Sequence, residues 1–294
     1  MKPLPLILAA AVAFAALPAQ ALVKTIHSER SVYRNIFVTD DDDLRCLTFR
    51  RFVGGHRQTC IRMTDPYELV FPYAKMMLGS LALNPHPKRV MIVGLGGGTL
   101  PTNLRGMAPD ADITVVELDP AVVKVAKQFF KFETGPKLRV EVEDGRVFIK
   151  RALARGEKYD LVMLDAFEDD YIPEHLLTKE FLTEVKGILT PDGVLAANTF
   201  SSSNLYPYES ATYAAVFGPF YNLKMANRII WAQPGKLTDM MTIHQNAETL
   251  APEFAKRGFT PAWLMDVPST VRDWPENTRI LTDQYSPSNL LNGK

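Results

Sequence analysis

Two cysteines are all that this chain of 294 residues contains, and with its five histidines they make no metal-ligand spacing. A zinc site needs clustered Cys and His ligands, so no metal is expected. Net charge is lacking as well, with 33 basic residues against 33 acidic ones. Without an overall positive field, nucleic acid is not expected as the main partner. The apolar run Leu6 to Leu17 is too short to span a bilayer. There is no Gly-x-Ser-x-Gly nucleophile elbow, and no internal repeat or low-complexity tract.

What is present begins with a leader-like pattern. Lys2 precedes the apolar run, Pro18 ends it, and Ala19-Gln20-Ala21 offers a small-x-small cleavage site. Residues 1–21 are therefore read as an export signal, with an uncleaved anchor or a helix of the fold as the alternative. The cysteines, Cys46 and Cys60, lie on two strand-like runs around Gly54-Gly55. A hairpin there brings them nearly opposite each other. An exported protein could join them; two buried thiols are the other reading.

Residues 27 to 63 read as a small all-β unit, with Asn35–Thr39 alternating as a strand and Asp40–Asp43 as a polar turn. Tyr67 to Leu83 has helical spacing and leads to the breaker Asn84-Pro85-His86-Pro87. Strands then alternate with helices: strands at Val90–Val93, Ile113–Val116, Leu138–Val142, Leu161–Leu164 and Val194–Ala197, with helical segments between them. Such alternation predicts right-handed crossovers and a doubly wound, mostly parallel Rossmann-like α/β sheet. Arg228–Ala232 and Met240–His244 flank Pro234-Gly235, which predicts an antiparallel edge hairpin. The division expected is 22–83 for the β unit with its lead-in helix and 84–294 for the α/β domain.

The glycine turn Gly94-Leu95-Gly96-Gly97-Gly98 directly follows the first core strand. Glu117 stands ~20 residues later at the tip of the next strand, the relation that grips ribose hydroxyls in nucleoside-binding α/β folds. The turn has no P-loop Lys and Ser/Thr, and Thr99 stands where a dinucleotide site has its third glycine. That form suits S-adenosyl ligands. Asp144 and Asp165 also fall just past strands, where ligands bind in open α/β sheets. For Asp144 the plainer role is a helix N-cap.

With those residues in hand, the chain resembles the polyamine aminopropyltransferases (spermidine synthases), within the S-adenosylmethionine-dependent methyltransferase-fold superfamily. Val116-Glu117-Leu118-Asp119-Pro120 looks like the family's ribose-binding strand end, and Glu143-Asp144-Gly145 like its adenine-side acid. Asp165 with Glu168 resembles its catalytic loop. Asp65-Pro66-Tyr67 to Phe71-Pro72 and Leu281 to Pro287 look like segments of a bacterial branch. The resemblance implies Asp165 as base and Glu168, Asp169, Asp170, Tyr171 and Tyr67 toward the amine, a solvated loop being the other reading of Glu168 to Asp170. It implies Gln58, Gly94, Gly96, Gly97, Gly98, Glu117, Asp119, Asp144 and Gly145 toward the cosubstrate. That cosubstrate is S-adenosylmethionine or its decarboxylated form, the acceptor is a small amine, and a homodimer is implied. The chain departs from the family pattern at Gly97, where the family has an aspartate for the amino end. It departs again at Asp165-Ala166-Phe167-Glu168-Asp169, where the family reads Asp-Ser-Ser-Asp-Pro, and at Tyr67-Glu68, what remains of a Tyr-His-Glu. Methyl transfer to a small acceptor, or an exported polyamine- or nucleoside-binding protein without turnover, are the other readings.

Overall fold

A computed structural model describes residues 23–51, 57–167 and 171–287. The leader-like segment, the Gly54-Gly55 turn and Glu168, Asp169 and Asp170 lie outside the described residues. The N-terminal unit is an antiparallel meander of β1 (Lys24–Arg30), β2 (Asn35–Asp41), β3 (Leu44–Thr48) and β4 (Arg57–Arg62). Ile36, Val38, Leu47 and Ile61 are its buried face and join the core of the larger sheet. Cys46 and Cys60 are directly paired across β3 and β4 and form a disulfide.

The lead-in helix α1 (Pro72–Gly79) starts on a proline, whose missing N–H costs nothing at a helix N-terminus. It packs against the large sheet, where Nε1 of Trp231 donates to the Met76 carbonyl. The α/β region then runs β5 (Arg89–Val93), α2 (Thr99–Met107), β6 (Asp112–Glu117), α3 (Pro120–Phe129), β7 (Leu138–Val142), α4 (Gly145–Ala154), β8 (Tyr159–Leu164), α5 (Lys179–Ile188) and β9 (Leu189–Phe200). It closes with α6 (Tyr206–Phe217), β10 (Tyr221–Lys224), β11 (Asn227–Ala232), α7 (Met240–Thr249) and β12 (Pro268–Ser269).

The strand order is β12-β10-β11-β9-β8-β5-β6-β7, parallel from β9 to β7 and antiparallel from β9 outward. This is the expected mostly parallel sheet with antiparallel strands at one edge. Successive residues of β5 serve opposite faces, as the two-residue pleat requires: Val90 and Ile92 enter one apolar cluster, Met91 and Val93 the other.

The edge hairpin uses different strands from those expected. β11 pairs with β10, not with residues 240–244. Met240–Thr249 is a helix because Asp239 caps it, accepting from the Thr242 N–H at 3.0 Å, and because Ile243 and Ala247, four apart on one face, are the residues it buries.

Candidate active site

Parallel register sets the site. Val93 at the end of β5 is level with Val116 on β6 and Leu164 on β8, and Glu117 is level with Val142 on β7. The strands therefore end along one line, and the glycine turn, Glu117, Asp144 and Asp165 all stand at that edge. They border a cavity of ≈ 1170 Å³, roofed by Arg34, Phe49, Arg57, Gln58 and Thr59 of the N-terminal unit.

Glu117 is buried, and both its oxygens are engaged. Oε2 accepts from the Leu95 N–H and Oε1 from the Asp119 N–H, each at 2.9 Å. Each oxygen keeps a second lone pair, so a vicinal diol can still donate to the pair. Burial pushes this carboxyl above its ordinary range, while those two N–H groups and the Arg34 guanidinium pull it down.

Asp144 lines the cavity and also caps α4, accepting from the Val147 N–H at 2.9 Å. Nε2 of His175 stands 3.1 Å from its other oxygen, and that bond, followed by the one from Val147, holds the carboxyl below its usual range. The two roles read from the sequence, cap and cavity acid, thus coexist in one residue. Gly145 completes this wall, because a Cβ there would stand 2.5 Å from Val93.

Asp165 is the chemically distinctive group. Asn198 donates to its Oδ1 at 2.8 Å, and the neighbouring Tyr73 hydroxyl, which donates to the Gln58 carbonyl at 3.4 Å, also favours its charged form. Burial outweighs both and raises the carboxyl to about 7. A carboxylate titrating near neutrality is suited to proton transfer at working pH. Burial likewise holds Tyr73 well above the usual phenol range, so it stays protonated as a donor.

Several expected residues do not face the cavity. Asp119 is fully buried; its carboxylate caps α3 through the Ala121 N–H and accepts from the Ser31 hydroxyl, leaving it no route to the cosubstrate. Gly97 and Gly98 are packing glycines, since a Cβ would meet Thr59 and Phe130 at the first and Phe132 at the second. Gly97 accordingly cannot stand in for an acid reaching the ligand. Tyr67 is half exposed, and neither it nor Tyr171 is among the cavity's described lining residues.

Gln58, Gly94, Gly96, Glu117, Asp144, Gly145 and Asp165 do line the cavity. Thr59 joins roof to turn by accepting from the Gly97 N–H at 3.1 Å. Sequence reasoning missed Tyr73, Arg34 and Asn198. Tyr73 lay one residue past the noted Pro72. Asn198 continues the run of the fifth core strand, one residue past its expected end.

The hollow, with Glu117, Asp144, Asp165 and the glycine turn on its border, lies on a methyltransferase-like fold. The spermine/spermidine synthase domain family matches residues 70–243, and the chain belongs to it. A polyamine aminopropyltransferase of Vibrio vulnificus is 44% identical over 272 residues, covering 90% of this chain and 91% of that protein. Among solved structures, human methyltransferase-like protein 13 in complex with SAH aligns with TM-score 0.59 and 28% identity, over 70% of this chain and 96% of that one. A spermidine synthase in complex with the transition-state analogue AdoDATO aligns with TM-score 0.63 and 19% identity, over 83% and 85% respectively, a likeness of fold.

Proposed function

We propose that this protein transfers an aminopropyl group from decarboxylated S-adenosylmethionine to a di- or polyamine. The observation that carries the reading is Asp165, a buried carboxyl raised to about 7, sharing one cavity with the diol-binding Glu117. Similarity along 90% of the chain to a polyamine aminopropyltransferase supports the same chemistry.

The ribose diol donates to Glu117 and the adenine lies toward Asp144. The acceptor amine arrives protonated, because free amines have pKa near ~10. Ionised Asp165 holds the ammonium and accepts one proton, freeing the nitrogen lone pair. That pair attacks the carbon beside the sulfonium. The C–N bond forms, the C–S bond breaks with its electrons passing to sulfur, and neutral methylthioadenosine leaves. The product nitrogen carries the charge that the sulfur lost. Tyr73 beside Asp165 favours its ionised form throughout.

A second reading is methyl transfer from intact S-adenosylmethionine. It is favoured by the absence of an acid at Gly97 and by the Arg34 and Arg57 guanidinium groups in the cavity wall, which suit a carboxylate. Calorimetry with both cosubstrates, followed by product analysis with diamine, separates the two. Methylthioadenosine release supports aminopropyl transfer; S-adenosylhomocysteine release overturns it in favour of methyl transfer. Binding without any product leaves a non-catalytic binding protein. We further propose export through the N-terminal leader, which the disulfide supports, because such bonds persist in oxidising compartments. Fractionation of the native host tests that.

A further inference from the structure

Asp165 is held through a carboxamide, and a carboxamide has two ends of nearly equal size and opposite hydrogen-bonding sense. Packing does not tell them apart. A bond to the far end does. Asn198 is buried on β9, and its Nδ2 donates to Asp165 while its Oδ1 accepts from Nδ2 of Asn227 at 3.3 Å. Asn227 opens β11 opposite Phe200, so it is the diagonal neighbour of Asn198 on one face of the sheet. Asn227 also reaches the cavity wall.

We propose that Asn227 is a positioning residue for the base, acting through Asn198: by donating to the Asn198 carbonyl it keeps the amide N–H group turned to Asp165. Were the amide reversed, its oxygen would face the carboxylate oxygen across the same 2.8 Å gap. Two acceptors at that separation tolerate each other only when one carries a proton, so reversal keeps Asp165 protonated and removes it as a base. The other groups around Asp165 do not duplicate this control. Tyr73 on α1 is a donor held protonated, Gly94 just past β5 offers backbone, and Arg34 in the β1–β2 turn donates to the Phe167 carbonyl. Glu117, Asp144 and His175 line the same cavity through other partners.

The inference rests on Asp165 as the base, whichever group is transferred. Its test is therefore a carboxyl ¹³C NMR titration of Asp165, assigned by loss of the signal in Asp165→Asn, which needs no turnover. The variants are Asn227→Asp and Asn227→Leu, each with methylthioadenosine affinity measured as a check of the fold. Asp at 227 only accepts, so it draws the Asn198 amide round. The Asp165 midpoint is expected to rise by about one to two pH units, the size of one hydrogen bond to a charged group. Leucine, which merely releases the amide, shifts it less. A steric role for Asn227 reverses that order, because Asp is the closer match in shape. In an Asn198→Leu background the Asn227→Asp shift should vanish. An unmoved midpoint in Asn227→Asp overturns the proposal, and so does an equal shift with Asn198 gone, which assigns the effect to direct charge repulsion. Absence of any transfer product from the native protein would instead count against the proposed reaction and leave this titration unaffected.

Discussion

The backbone carbonyl of Asp165 occupies the space that a side chain at Gly94 would need: a Cβ at residue 94 would stand 2.3 Å from that oxygen. Gly94 also has φ +98°, a conformation that L side chains rarely adopt. The glycine turn and Asp165 are therefore packed backbone to backbone. Gly94→Ala should destabilise the fold by about 1–3 kcal/mol through overpacking. It should also lower kcat by ~10²-fold, since an ångström of displacement at a catalytic group has that scale. Denaturant unfolding alongside turnover checks both. A variant of normal stability and rate would mean that the loop yields without moving Asp165.

The raised carboxyl at Asp165 dictates a pH profile. Its acid lies at about 7 instead of 3.8, with burial as the main cause. The base is present above about 7, so kcat/KM should fall tenfold per unit below it. Asp165→Asn should reduce kcat by ~10²–10⁴-fold and leave nucleoside affinity within a few-fold. The stability sign runs the other way. The folded state holds this proton more tightly than the unfolded chain, so the group's favourable contribution is complete below 3.8 and lost as pH rises through about 7. Asp165→Asn should therefore be more stable than the native chain at pH 8, with the gap closing toward acid. Glu209, also raised to about 7 by burial, cancels in that difference. Paired melts across pH read it directly.

Glu117 makes a separate prediction, because both of its oxygens accept from backbone N–H groups at the strand tip. Glutamine keeps one acceptor and turns an amide N–H group on one of those donors. Losing a hydrogen bond to a charged group is worth about 1.5–3 kcal/mol. Methylthioadenosine affinity should fall ~10- to 100-fold, with the Asp165 titration little changed. Calorimetry checks it, and unaltered affinity would remove Glu117 from ribose binding.

Much of this was legible because period and punctuation carry it. The alternation of apolar strands with helical segments requires a mostly parallel sheet, and acids just past strands must share one edge. What escaped depends on long-range packing. Whether Asp119 faces a ligand or Ser31 is decided by a residue far away in β-unit sequence. Whether Gly97 opens to the cavity is decided by Thr59 and Phe130 behind it. Tyr73 was hidden by its chemistry: one tyrosine in an apolar helix looks like core until Asp165 is placed beside it. Met240–His244 read as a strand because a short apolar run has no period of its own, and the Asp239 cap was the overlooked signal.

The disulfide ties the roof of the cavity to its own hairpin. Cys60 is followed back along β4 by Thr59, which accepts from the Gly97 N–H, and by Gln58, which lines the cavity. Cys46 and Cys60 are 14 residues apart, and closing a loop of that length removes unfolded-state entropy worth ~3 kcal/mol. Reduction should thus lower the melting temperature by roughly 2–4 °C per kcal/mol for a chain of this size. It should also weaken nucleoside binding, because the strand carrying Thr59 loses its cross-strand tie while the α/β sheet is untouched. Melts with and without reductant, with calorimetry on the reduced protein, separate the two effects. A lower melting temperature with full affinity would confine the bond to stability. Equal melting temperatures would mean that the meander is held by its buried face of Ile36, Val38, Leu47 and Ile61 alone.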